Sequence, residues 1–271
     1  MITVTPLPAF SDNYIWLIEG NGHAAVIDPG DADVVTTALG ARGLKLSAVL
    51  ITHHHSDHTG GIATLKAAFP ALTVYGPRAE TARISGIDHA VDDGDTVTLD
   101  VLGLRFEVLA VPGHTAGHVA YYAATTPGQT THGILFSGDT LFAAGCGRLF
   151  EGTATQMHES LARLGALPGD THVYCAHEYT LSNLAFAAAV EPNSAALQAE
   201  IARVRALRDA GTPSVPSTID RERSVNPFLR CEIETVAEAA TATCGIEARD
   251  PVAVFATLRR WKDSFRANSA V

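Results

Sequence analysis

Four side chains able to bind a metal fall within six residues of one short segment, Thr52-His53-His54-His55-Ser56-Asp57-His58-Thr59-Gly60-Gly61: His53, His55, Asp57 and His58. Three more such groups follow separate apolar runs. His114 comes after Val108-Leu109-Ala110-Val111-Pro112-Gly113, Asp139 after Ile134-Leu135-Phe136-Ser137-Gly138, and His177 after His172-Val173-Tyr174-Cys175-Ala176. Five imidazoles and two carboxylates exceed the four or so ligands of one tetrahedral zinc. They suit two metals, one held by His53, His55 and His114, the other by Asp57, His58 and His177. Asp139 has two oxygens and can bridge them. Adjacent cations bring the pKa of a shared water to about 7 and polarise a carbonyl, which is the chemistry of ester, thioester, amide or phosphodiester hydrolysis. Such His/Asp sets accept zinc, iron or manganese, with zinc the first expectation.

The remaining candidates are assigned ordinary roles. His54 points away from its neighbours if the segment is extended, because side chains alternate in a strand. His118 packs or hydrogen-bonds beside the site. The other histidines, of 12 in all, read as ordinary polar positions. Cys146 reads as structural, since nothing beside it in sequence lowers its pKa. Asp28 either orients the site through a hydrogen bond or belongs to a plain turn.

These groups need elements to gather them. Strands are predicted at Tyr14–Glu19, Ala24–Asp28, Ala48–Thr52, Thr73–Tyr75, Arg105–Val111, His118–Ala123, Ile134–Ser137 and His172–Cys175, with helices at Ala32–Arg42, Ile62–Phe69 and Thr155–Leu164 between them. The alternation implies an α/β body, in which strand ends collect along one edge where ligands bind. From about residue 180 the pattern turns helical, at Asn183–Val190, Ser194–Ala210, Glu232–Thr243 and Pro251–Ala267. The charge shifts with it. Residues 200–271 carry 11 basic and 10 acidic side chains, against a net charge of -10 for the whole chain.

With 271 residues, 46% apolar and 18% charged, the chain is compact and globular; disorder, collagen and coiled coil are excluded. The acidic balance argues against a nucleic-acid partner. No apolar run reaches the roughly 18 residues of a membrane span. Four cysteines without a C-x-x-C pair read as reduced thiols. The N-terminus lacks the pattern of a signal peptide, so the expectation is a mature, cytoplasmic protein.

Thr-His-x-His-x-Asp-His, with His114, Asp139 and His177, resembles the metallo-β-lactamase superfamily. Within it the chain resembles the glyoxalase II (hydroxyacylglutathione hydrolase) family, through Asp12-Asn13-Tyr14, Pro112-Gly113-His114-Thr115, Ser137–Phe142, Gly145-Cys146-Gly147-Arg148-Leu149-Phe150-Glu151-Gly152, Cys175–Thr180, Asn226–Arg230 and Arg259–Phe265. The resemblance implies an αββα sandwich at residues 1–177, followed by a small helical substrate-binding domain at 178–271. It also implies a dinuclear site, with Asp57 and Asp139 taking part in catalysis and Asp57 both binding metal and orienting the attacking water. The substrate it implies is an S-(2-hydroxyacyl)glutathione thioester such as S-lactoylglutathione, held by Arg148, Tyr179, Arg259 and Lys262, and the reaction is the second step of methylglyoxal detoxification. Arg148 stands where many members carry lysine, Phe150 where some have tyrosine, and Ser56 where a bulky aromatic is common. Arg259 and Lys262 are three apart and can share a helix face, offering cations to the two carboxylates of glutathione. Rival readings are a mononuclear-iron persulfide dioxygenase, a metal-dependent nuclease, another hydrolase of the fold, and a metal-bearing sensor. A monomer is expected.

Overall fold

The computed structural model describes residues 1–244 and 250–266. Its first sheet contains β1 (Thr3–Ala9), β2 (Asn13–Gly20), β3 (His23–Ile27), β4 (Lys45–Leu50), β5 (Thr73–Pro77) and β6 (His89–Val91), in that spatial order. β1 to β3 pair antiparallel and β3 to β6 parallel. Two of the parallel steps are crossed by α1 (Ala32–Arg42) and by α2 (Ser56–Thr59) with α3 (Ile62–Ala68). α1 begins where the Asp31 carboxylate accepts from the backbone of Asp33 and Val34, and it ends at Gly43, whose φ of 65° suits glycine.

The second sheet starts with β7 (Thr96–Leu99), β8 (Leu104–Ala110), β9 (Val119–Ala123) and β10 (Ile134–Gly138). A hairpin of β11 (Leu141–Phe142) and β12 (Gly145–Cys146) then leaves it. β13 (His172–Cys175) returns parallel to β10, and β14 (Ser217–Thr218) adds the far edge. The helices on this side are α4 (Ala154–Gly165), α5 (Thr180–Val190), α6 (Ala195–Asp209), α7 (Ile219–Val225), α8 (Glu234–Cys244) and α9 (Pro251–Ser264). Among the described residues no helix is long and apolar enough to cross a membrane.

Three apolar interfaces between four layers follow from the residue pattern. Trp16, Ile18, Ile27 and Leu50 of the first sheet meet Phe106, Val108, Tyr121 and Phe136 of the second between the sheets. The opposite face of the first sheet, through Leu17, Val26 and Val49, packs on Val35 and Leu39 of α1 and Leu65 of α3. The opposite face of the second, through Leu109, Leu135 and Val173, packs on Met157 and Leu161 of α4 and on Phe186, Phe228 and Phe255 from the C-terminal segment. With both faces covered, β2 and β10 are buried almost throughout, not alternating. The architecture is an αββα sandwich, and the C-terminal helices share a core with its second sheet.

The predicted strands and helices all form, with ends shifted by a few residues. The last helix closes at Ser264; Ala267, placed in it by the sequence pattern, lies outside the described residues. Elements not anticipated include β1, which carries Pro6 and Pro8 and survives because it is an edge strand. α7 is another. It grips the hairpin: Glu222 accepts from Ala144 N at 2.7 Å and from Asn226 Nδ2 at 2.9 Å, while Asn226 also donates to Gly145 O at 2.9 Å. Ala144 adopts a left-handed φ of 55°, so this hold offsets local strain.

Burial pushes the Glu222 carboxyl from its usual 4.5 up to about 7, against the bonds from Ser217, Asn226 and Ala144. The native protein thus keeps a proton that the unfolded chain releases above pH 4.5. Stability should therefore fall as pH rises from about 4.5 to 7, by roughly 3 kcal/mol from this group. Urea titrations across that range should lose this component in Glu222→Gln. An identical pH slope in the variant would contradict the assignment.

Candidate metal centre and adjoining cavity

The seven candidate ligands meet at one edge of the sandwich because each follows a strand end. His53 and His55 follow β4, and Asp57 and His58 occupy the single turn of α2. His114, Asp139 and His177 follow β8, β10 and β13. Ring nitrogens of His53, His55 and His114 converge, with His55 Nδ1 3.0 Å from His53 Nε2 and 3.1 Å from His114 Nε2. In the second cluster Asp57 Oδ2 lies 3.4 Å from His58 Nε2 and 3.6 Å from His177 Nε2. Asp139 sits between. Its Oδ2 is 3.4 Å from His114 Nε2, while its Oδ1 is 3.4 Å from His177 Nε2 and 3.5 Å from His58 Nε2.

The far sides of these rings are fixed by hydrogen bonds. His53 Nδ1 meets Thr52 Oγ1 at 3.0 Å, His58 Nδ1 meets Asp28 Oδ2 at 3.0 Å, His114 Nδ1 meets Arg148 O at 3.0 Å, and His177 Nδ1 meets Asp12 Oδ1 at 2.8 Å. Each bond turns the remaining Nε2 into the site, the usual way a ligating imidazole is oriented. Asp28 also accepts from Thr52 N at 2.8 Å and Thr52 Oγ1 at 2.7 Å, and Asn13 Nδ2 donates to Asp57 Oδ2 at 2.9 Å. Sequence reasoning singled out neither Asp12 nor Asn13 as a site residue. Asp12 lies in the β1–β2 turn and Asn13 opens β2, and the Asp12–His177 pair spans 165 residues, a separation no local pattern reveals.

The donor set fits divalent cations. His58 Nε2 and Asp139 Oδ1 are buried without a hydrogen-bond partner, an arrangement that is costly unless something else satisfies them. Burial pushes the Asp139 carboxyl up, but the imidazoles of His58, His177 and His114 outweigh it and hold the group well below the usual carboxylate range. His58 and His177 are drawn upward by Asp139 against the effect of burial, so the carboxylates call for positive charge here. His53, fully enclosed, is held neutral by burial. The fold and these clusters can bind metal.

His54 points outward to Glu80 and is no part of this cluster. His118 stacks on His53 and accepts from Asp139 N through Nε2 at 3.1 Å. Cys146 is buried, and burial pushes its thiol up to about 11, which leaves it a poor nucleophile. Among the described residues Cys146, Cys175 and Cys231 are free thiols.

A cavity of about 710 Å³ opens from the clusters toward the C-terminal helices. Its metal end includes His55, Asp57, His114, Asp139 and His177; its far end includes Arg148, Tyr179, Arg259, Lys262 and Arg266. Arg148 is two-thirds exposed, 3.8 Å from Asp263. Tyr179 stacks on His177 at 4.7 Å between ring centres. Lys262 donates to Ser182 O at 2.8 Å, and burial, then Arg259, lower its ammonium to about 8. Arg259 is 5% exposed and is engaged by protein partners, donating to Cys146 O at 2.9 Å and to Asp263 at 3.0 Å. Phe150 is exposed and presents its ring to those of His55 and His114.

Close backbone approach also shapes the centre. A Cβ on Gly147 would fall 1.9 Å from Asp139 O and 3.1 Å from His114 Nδ1. Gly147→Ala should lower stability by about 1–3 kcal/mol, as overpacking does elsewhere, and shift the urea midpoint accordingly. An unchanged midpoint would show that the backbone at Asp139 yields freely.

Two family models match the chain. The metallo-beta-lactamase superfamily model matches residues 9–177, and the model of the hydroxyacylglutathione hydrolase C-terminus matches residues 178–265. The chain is 55% identical to the hydroxyacylglutathione hydrolase of Cupriavidus metallidurans and 50% identical to that of Aeromonas salmonicida, in each case over 98% of this chain and 100% of the relative. Among solved structures it is similar to ETHE1 from Myxococcus xanthus, with 26% identity, a TM-score of 0.61, and 97% of this chain and 98% of that one covered. It is also similar to TTHA1623, solved in a di-iron-bound form, with 28% identity, a TM-score of 0.53, and 65% of this chain and 91% of that one covered. By both its superfamily model and these full-length relatives, the chain belongs to the hydroxyacylglutathione hydrolase family of the metallo-β-lactamase superfamily.

Proposed function

We propose that the protein hydrolyses S-(2-hydroxyacyl)glutathione thioesters, such as S-lactoylglutathione, to glutathione and a 2-hydroxy acid, the second step of methylglyoxal detoxification. The observation that carries this reading is a cavity with two ligand clusters around one carboxylate at its inner end and a cationic outer end. His53, His55 and His114 would hold one divalent cation and Asp57, His58 and His177 the other, with an Asp139 oxygen available to each. Zinc suits these ligands, and iron and manganese share them. Bound there, such cations would supply Lewis acidity, which makes a water nucleophilic near neutral pH and a thioester carbonyl more electrophilic.

The chain's own residues supply the rest. Asp57, anchored by Asn13, accepts a hydrogen bond from the attacking water and so directs it at the carbonyl. The leaving thiolate has a conjugate acid of pKa about 8.5, so no strong general acid is required. Arg148 and Lys262 receive the glutathione carboxylates through charge-assisted bonds. Tyr179 packs beside the thioester from its stacked place on His177. Arg259 works from a buried position, steadying the Cys146 carbonyl and Asp263 at the cavity wall. Residues 1–177 thus carry the chemistry, and 178–271 much of the substrate grip. The protein acts as a cytoplasmic monomer.

The second cluster is oriented as fully as the first, by Asp28, Asp12 and Asn13, which favours a dinuclear hydrolase over a mononuclear-iron dioxygenase. Purified protein should release glutathione from S-lactoylglutathione, lose that activity to a chelator and regain it with zinc. Metal-loaded protein that leaves the thioester intact would contradict the reading. Arg148→Ala should raise KM about tenfold, the worth of one exposed charge-assisted contact, with kcat little changed. An unaltered KM would remove Arg148 from the substrate site.

A further inference from the structure

His54, Glu80 and Glu151 form a third cluster of metal-type donors, beside the first metal cluster and not used by the mechanism above. It already contains a cation. Arg83 Nη1 is 2.9 Å from His54 Nε2 and pairs closely with Glu151, so a guanidinium sits where an ion would.

What this cluster touches suggests its role. Glu80 lies in the turn after β5 and is 3% exposed. A carboxylate so buried needs several compensating partners. Glu80 has them: Thr115 Oγ1 and Gly117 N donate to one oxygen, the latter at 3.1 Å, and His54 Nδ1 lies 2.9 Å from the other. Thr115 and Gly117 lie in the β8–β9 loop just after His114, while His54 stands between His53 and His55. Since Arg83 donates to His54 Nε2, the His54 proton is on Nδ1 and is given to Glu80. Glu151 accepts from Ala116 N at 2.9 Å, which fastens the Arg148–Gly152 segment to the same loop. A Cβ at Gly117 would fall 2.5 Å from Glu80 Cγ, so the loop lies directly against the carboxylate stem.

We propose that Glu80, acting through His54 and Thr115, is a positioning residue that sets the spacing of the His53/His55 segment against the His114 loop and thereby the affinity of that cluster for its cation. The inference rests on the ligand assignment above. It is selective, because Asp57, His58 and His177 are oriented by Asn13, Asp28 and Asp12, none of which bonds to Glu80.

The test is zinc titration of metal-free protein against a competing chromophoric chelator. His177→Ala disables the second cluster and reports on the first; His114→Ala does the reverse. Adding Glu80→Ala to the His177→Ala protein should weaken zinc binding about ten- to a hundredfold, as loss of an orienting partner does elsewhere. In the His114→Ala protein the same change should alter affinity less than about twofold. Glu80→Gln, which keeps an acceptor for Thr115 and Gly117, should fall between. Should the Glu80 variants fail to fold, His54→Asn, on a less buried side chain, should reproduce the selective loss. Equal weakening in both backgrounds, or none in either, overturns the inference while wild type still binds two zinc ions. Wild type binding only one overturns the ligand assignment, and this inference with it.

Discussion

One buried carboxylate shared between two rings of ligands is the constraint from which the rest follows. Asp139 directs Oδ2 at His114 and Oδ1 at His58 and His177, and Oδ1 has no other partner. Holding such a group out of water is unfavourable unless positive charge lies beside it on both sides. The polypeptide meets that demand by ending β4, β8, β10 and β13 at one edge, so that segments far apart in sequence deliver imidazoles to one point. Strand ends are suited to this task because their backbone is fixed by the sheet, while the loop beyond can turn a side chain inward.

The surrounding structure reads as successive supports for that arrangement. Asp28, Asp12, Thr52 and the Arg148 carbonyl fix the outer nitrogens of four histidines. Glycines at 30 and 147 let backbone come so near Asp57 and Asp139 that a Cβ would lie 1.9 Å from their carbonyl oxygens. The hairpin after Asp139 is held by Glu222 of α7, by Asn226 just past that helix, and by Arg259 from α9. The C-terminal helices therefore do two things. They wall the cavity with cations, and they brace the segment that follows the shared carboxylate.

Much of this was legible in the sequence, for identifiable reasons. The candidate ligands could be picked out because each group follows an apolar run, and because the residue types are those able to bind cations. An α/β body was legible from strands interleaved with helices, and the family resemblance implied its αββα form. β1 was hidden by Pro6 and Pro8, which an edge strand tolerates and a central one does not. Asp12, Asn13 and Glu80 were hidden because their partners lie 165, 44 and 26 to 37 residues away, and a lone polar residue in a turn carries no sign of its partner. Arg259 shows the limit of helix-face reasoning. The spacing from Lys262 put both on one face, yet the tertiary packing buried one guanidinium against Cys146 and left the ammonium bonded to Ser182.

Anomalous diffraction from crystals of the zinc-loaded protein, recorded on both sides of the zinc edge, would reveal whether two cations share Asp139. Two anomalous peaks per chain are expected, one among His53, His55 and His114 and one among Asp57, His58 and His177, each beside an Asp139 oxygen. A single peak at full zinc loading, or two peaks of which one avoids Asp139, would contradict that sharing.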